Sequence, residues 1–201
     1  AGLCLLLCRE IKNRKILLTV TGGALLVSAV LVVMALCMSQ GGMLTLFNLT
    51  DRLPVLFKVD EISVIFSSVT VIVFLCAGFF SFEYMKHEKK EKRYYGYLLI
   101  VFGVLNALCF AGNLITFYLF FEMLTLTSLP LVLHNGSREA VMAGLKYLFY
   151  SLCGAYMALF GIYFIERYGN TLTFSPGGVF SAEAAAADQE IFLVIAFVML
   201  I

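Results

Sequence analysis

Apolar residues fall into long runs separated by short polar stretches. The runs place spanning helices at 16–38, 61–82, 95–111, 113–133 and 139–165, with a partial helix at 1–8 and another starting near 190. Each complete run approaches the ~20 residues needed to cross a hydrocarbon core of ~30 Å. Only Gly112 and Asn113 separate the third and fourth complete helices, which predicts a tight antiparallel hairpin. The stretch "MLTLFNLTDRLPVLFKVD" breaks the helical pattern, because two β-prone runs flank "TDRLP" and suggest a small hairpin at the outer surface. Further on, "GGVFSAEAAAAD" is small and polar and reads as a loop with a short surface helix.

Composition agrees with the runs. Of 201 residues, 62% are hydrophobic, against about half in a soluble domain. The fold class is therefore all-α, a polytopic transmembrane helix bundle, and a soluble enzyme is excluded. A net charge of +1 offers nothing to nucleic acid. The six cysteines lie scattered through apolar runs with no spacing suited to zinc, haem or an iron–sulfur cluster. No cofactor, metal site or redox centre is expected in this chain, so redox chemistry would have to come from a partner.

Charge in the connections alternates. "REIKNRK" (9–15) is basic, "EYMKHEKKEKR" (83–93) holds five Lys or Arg, and "HNGSR" (134–138) carries Arg138. The connections between them are neutral, mixed or acidic, so the positive-inside rule puts 9–15, 83–93 and 134–138 in the cytoplasm. Both chain ends look cut, the first opening without Met and the last stopping inside an apolar run, so the sequence reads as part of a longer protein.

Two charges interrupt the apolar runs. Glu122 lies ~14 Å from the outer end of the 113–133 helix, and Lys146 lies ~10 Å into the next. A carboxylate at that depth costs ~2.5–3.5 kcal/mol on insertion scales. The helices are antiparallel neighbours, so the charges are expected close together, directly or through water. Two explanations stay open: a packing clamp, which is a poor source of stability once desolvation is counted, and a relay for ions. Tyr118, Glu122 and Thr125 share one helix face, as do Lys146 and Tyr150. Ser63, Ser67 and Thr70 form a hydroxyl stripe, and Asn106 sits inside the third complete helix. These groups hold water or glue helices together with equal ease. Pro130 is expected to bend the Glu122 helix near its cytoplasmic end, and His134 follows at the mouth, either as a proton entry group or as an ordinary loop histidine.

The succession "VDEISVIFSSVTVIVFLCAGFFSFEYM", "NLITFYLFFEMLTLTSLPLVL", "AGLKYLFYSLCGAYMALFGI" and "YGNTLTF" resembles the antiporter-like membrane subunits of respiratory complex I, Mrp-type sodium/proton antiporters and energy-converting hydrogenases, over residues 53–201. In that family a Trp-Glu pair carries the key acidic residue; here it is Phe121-Glu122, without the Trp. Lys146 falls on a lysine found in many members, and Asp60 on an Asp that often opens the family's third helix.

The resemblance implies a fold with inverted five-helix repeats. Residues 1–94 would supply N-terminal helices and an outer loop, and 95–201 the start of the first repeat up to its broken helix. That helix carries a lysine beyond Ile201. The implied function is proton, or sodium, translocation within a multisubunit membrane oxidoreductase or antiporter, beside further antiporter-like subunits in a prokaryotic inner membrane. Glu122 would take up a proton when a neighbouring cation moves away. The alternative is a non-conducting scaffold that docks a redox partner, with Glu122–Lys146 as a structural ion pair.

Overall fold

The computed structural model describes residues 1–7, 13–38, 41–50, 53–87, 90–168, 171–174 and 190–200. The expected surface helix in 177–188 lies outside them. The elements run α1 (Gly2–Leu7), α2 (Arg14–Met38), β1 (Met43–Thr50), β2 (Leu53–Lys58), α3 (Glu61–Tyr84), α4 (Glu91–Cys109), α5 (Leu114–Val132), α6 (Arg138–Tyr168) and α7 (Glu190–Leu200). From α2 onward each helix packs on its sequence neighbours, and α4 also receives α1 and α2.

Among the described residues, α2, α3, α5 and α6 are long and apolar enough to cross a membrane. The fifth expected span, α4, is not in that set. It starts earlier than the apolar run, taking in Glu91, Lys92 and Arg93, and it contains Asn106. Its position explains the tolerance. Tyr95, Leu98, Leu99 and Phe102 sit in the buried core with Leu17, Leu25 and Val71. A helix wrapped by α1, α2, α3 and α5 presents little surface to lipid and needs less hydropathy.

One end of the bundle is closed by charge. Arg14 Nε donates to both Glu91 carboxylate oxygens at 3.0 Å, and its Nη2 donates to the Phe82 carbonyl at 2.6 Å. That residue, read from the sequence as part of a basic connection, ties α2, α3 and α4 together. Lys92 reaches the Leu6 carbonyl of α1 on the same side.

The other end is closed by backbone. The β1–β2 hairpin forms as expected, with Met43 opposite Lys58 and Thr50 opposite Leu53, and with irregularities between Thr45/Phe47 and Asn48/Thr50. Strand β2 then bonds to the α4–α5 link: Lys58 N donates to Phe110 O and Gly112 N to Leu56 O, both at 2.8 Å. That link runs from 110 to 113, because α4 stops at Cys109. A Cβ on Gly112 would lie 3.1 Å from Leu56 and Lys58 side-chain atoms, so any larger residue there would have to push them aside. Residues 172–174 complete the cap from the far side, with Leu114 N donating to Leu172 O and Phe174 N to Gly112 O. Asp60 caps α3, accepting from Ser63 N at 2.9 Å.

Candidate functional site

Helix α5 carries Glu122 near its middle, half-buried. Leu129 is seven residues further on, two turns along the same face. A Cβ built on Gly144 of α6 would lie 3.6 Å from Leu129 and 2.5 Å from Leu133, so this face of α5 is the one turned to α6. Tyr118, one turn before Glu122, has its hydroxyl close enough to interact with the carboxylate, and Tyr156 of α6 lies in electrostatic reach of the same hydroxyl.

Tyr118, but not Glu122, lines an open cleft of about 720 Å³ between α5, α6 and α7. Its wall is mostly apolar, with polar groups from Tyr118, Tyr150 and Ser151. Gly154, also in the wall, faces open space where a side chain would sit. At the far side α7 is held close to α6, since a Cβ on Gly161 would come within 2.8 Å of the Ala196 carbonyl oxygen. A half-buried carboxylate one turn from a tyrosine that lines the cleft supplies a titratable group with a hydroxyl neighbour, two of the elements that proton exchange uses.

Lys146 stands elsewhere. The Ser128 and Tyr147 hydroxyls are 3.0 Å apart across the α5–α6 contact. That pairing sets the register, so Lys146 is level with Leu129, seven residues from Glu122, or ~10 Å along the axis. Because Tyr147 faces α5, its neighbour Lys146 points ~100° away around α6. Its side chain is exposed in a shallow hollow lined by α6 residues such as Leu145, Phe149 and Tyr150. Among the described residues the ion pairs are Arg14–Glu91 and Lys86–Glu83. The expected closeness of Glu122 and Lys146 is therefore not found. Counting residues from helix ends estimated depth but could not supply direction around the axis.

The remaining candidates divide. Thr125 is buried on α5 and donates to the Phe121 carbonyl of its own helix at 3.3 Å. Ser67 and Asn106 close on each other: the Ser67 hydroxyl donates to Asn106 Oδ1 at 2.7 Å, and Asn106 Nδ2 donates to Phe102 O at 2.8 Å. Both are buried between α3 and α4, remote in sequence and contact from Glu122 and the cleft. Ser63 serves the α3 cap through Asp60, and Thr70 lies 4.0 Å from the Cys109 sulfur. His134 sits in the turn after α5 with its ring edge-on to Tyr94 at 5.6 Å, and both ring nitrogens are buried without a hydrogen-bond partner. The residues that sequence reasoning passed over are Asn113 and Thr116, which fix the start of α5. A polar pair three apart at a helix start was the available signal.

Comparison with known proteins gives a consistent family. Residues 111–201 match the model described as NADH:quinone oxidoreductase/Mrp antiporter, transmembrane region, and residues 48–95 match that of the NADH-ubiquinone oxidoreductase (complex I) chain 5 N-terminus. The chain is 22% identical over 118 residues to a Na(+)/H(+) antiporter protein of Bacillus subtilis, covering 59% of this chain and 24% of that one. It is 30% identical over 131 residues to NADH-ubiquinone oxidoreductase chain 4 of Phodopus sungorus, covering 62% of each. It thus spans about a quarter of the first relative and under two thirds of the second. A solved structure of the membrane-bound sulfane sulfur reductase, an archaeal respiratory membrane complex, superposes with a TM-score of 0.70 at 15% identity, covering 99% of this chain and 40% of that one. That likeness is one of fold.

Proposed function

Because the chain belongs to the family of antiporter-like membrane subunits shared by NADH:quinone oxidoreductase and Mrp antiporters, we propose that it translocates protons, or sodium, as one subunit of a larger membrane complex. Glu122 is the group that takes up and releases the ion. Tyr118 orients the carboxylate, and the cleft lined by Tyr118, Tyr150 and Ser151 admits the water that connects it to neighbouring groups. Lys146 acts from a distance. It is offset by ~10 Å along the axis and turned aside, so the two charges form no contact pair. Electron transfer belongs to partner subunits. His134 would serve the cytoplasmic side, with 9–15, 83–93 and 134–138 facing the cytoplasm of a prokaryotic inner membrane. What supports that sidedness is the gathering of Arg14, Glu91, Tyr94 and His134 at one end, opposite the hairpin.

The observation that carries the proposal is a half-buried mid-helix carboxylate one turn from Tyr118, a residue that lines the cleft, and not in contact with Lys146. A scaffold that used Glu122–Lys146 as a clamp would need them in contact, and the stagger at the Ser128–Tyr147 contact favours the exchange reading. The test is ion uptake by inverted vesicles containing the complete complex, wild type against Glu122→Gln. The amide cannot exchange a proton, so the complex is expected to assemble and to lose most of its ΔpH formation. Normal uptake by an assembled mutant would reduce Glu122 to a packing residue.

A further inference from the structure

The first turn of α5 is held from several directions at once. Asn113 Oδ1 accepts from Thr116 N at 2.7 Å, capping the helix, while Asn113 Nδ2 donates to the Pro54 carbonyl at 2.6 Å. Thr116, fully buried, accepts from Leu56 N at 2.9 Å through its hydroxyl. Leu114 N donates to Leu172 O at 3.0 Å. One turn on, the Phe120 ring packs 5.3 Å from Phe57 of β2. The hairpin strand is itself bonded to the α4–α5 link, so α5 is pinned to a fixed frame and not to a loose loop.

The pinned face and the working face are different. At ~100° per residue, Phe120 follows Thr116 around the helix, while Tyr118 lies ~160° and Glu122 ~120° away from Thr116. Holding Thr116 and Phe120 against β2 therefore presents Tyr118 to the cleft and turns Glu122 toward α6. A slip of one residue would rotate Glu122 by ~100° out of that direction and break the Pro54 and Leu56 bonds together. We infer that Asn113 and Thr116 are positioning residues, which set through the outer hairpin the direction in which Glu122 faces. This inference rests on the reading of Glu122 as the ion-exchanging group.

The test uses the complete complex with Thr116→Val, Thr116→Ser and Asn113→Asp. Valine keeps the shape of Thr116 but strands the Leu56 N–H. Serine keeps the acceptor. Aspartate keeps the helix cap but loses the donor to Pro54. Two quantities are read: ion uptake, and the pH profile with which a hydrophobic carbodiimide labels Glu122, since it reacts with a protonated carboxyl. Thr116→Val and Asn113→Asp should shift the labelling midpoint by half a pH unit or more and lower uptake several-fold, and Thr116→Ser should restore both. Wild-type labelling and uptake in Thr116→Val and Asn113→Asp would overturn the inference. If Thr116→Val fails to assemble, Asn113→Asp decides; failure of both to assemble beside an intact Thr116→Ser would overturn it in favour of a folding role. Because labelling reports the surroundings of Glu122 and not transport, a shift seen where Glu122→Gln still pumps would sink the functional reading and leave the positioning intact.

Discussion

Ser67 and Asn106 pose a sharp energetic question, because removing either partner should not cost the same. Ser67→Ala strands the Asn106 Oδ1 atom in a site where Asn106 is 4% exposed and Ser67 fully buried. An orphaned buried acceptor costs ~1–3 kcal/mol in soluble proteins. Interhelical hydrogen bonds in membranes average ~0.6 and reach ~1.7 kcal/mol, so ~1–1.5 kcal/mol is the expected loss. Asn106→Leu is milder, because the Ser67 hydroxyl can turn to a carbonyl one turn back, as Ser68 already does to Val64 O at 2.6 Å. In the Asn106→Leu background Ser67→Ala should then add almost nothing, giving a coupling of ~1 kcal/mol between the two sites. For a chain of this length ~1 kcal/mol corresponds to ~2–4 °C in Tm. Thermal unfolding of the detergent-solubilised protein, followed by loss of the monodisperse elution peak, should show Ser67→Ala ~3–5 °C below wild type. The double variant should match Asn106→Leu, and ion uptake should be unchanged throughout. Wild-type stability of Ser67→Ala would mean that the bond does not form. Lost uptake at unchanged Tm would put the pair back on the ion path.

Two further outcomes follow from the bundle's ends. Arg14→Ala leaves the Glu91 carboxylate, 15% exposed, without its cation and removes the donor to Phe82 O. The cost falls between an exposed pair at ~0.2–1 kcal/mol and a broken buried pair at ~3–5 kcal/mol, so about 2 kcal/mol is expected. Adding Glu91→Gln should recover part of the lost Tm by removing the stranded charge; no recovery would mean that the Phe82 contact dominates. At Asp60, burial works to raise the carboxyl, but hydrogen bonds from the Ser63 N–H and hydroxyl, with Lys58 nearby, outweigh it and hold the group below the usual aspartate value of 3.8. A carboxyl depressed in the folded state contributes stability that is present above pH ~4 and lost as pH falls through the lowered value. The Tm advantage of wild type over Asp60→Asn should therefore shrink between pH 6 and pH 3, while Asp60→Ala, which removes the cap, should cost ~1 kcal/mol near neutral pH.

What could be read in advance was whatever depends on position along the chain. Apolar runs located the helices to within a few residues, and the turn residues around "TDRLP" announced the hairpin. Glu122 was conspicuous because a carboxylate in an apolar run is costly at that depth. The margin of error was largest at α4, where three charged residues at the helix start masked a core helix that its neighbours shield from lipid.

What escaped prediction depends on direction around each helix and on partners distant in sequence. Lys146 and Glu122 come from adjacent helices at similar nominal depths, yet the Ser128–Tyr147 contact staggers them and turns the lysine aside. Arg14 looked like one more cytoplasmic charge, and its partner Glu91 is 77 residues away. Thr116 looked like an ordinary residue of a helix start, and what distinguishes it is Leu56 N, 60 residues earlier. The same geometry that separates Lys146 from Glu122 also explains how a threonine on the opposite side of α5 governs where Glu122 faces. A helix is rigid about its axis, so fastening one face fixes every other. If Glu122 exchanges ions as proposed, that exchange is then subject to control from the hairpin end of the bundle, by hydrogen bonds that never touch the carboxylate.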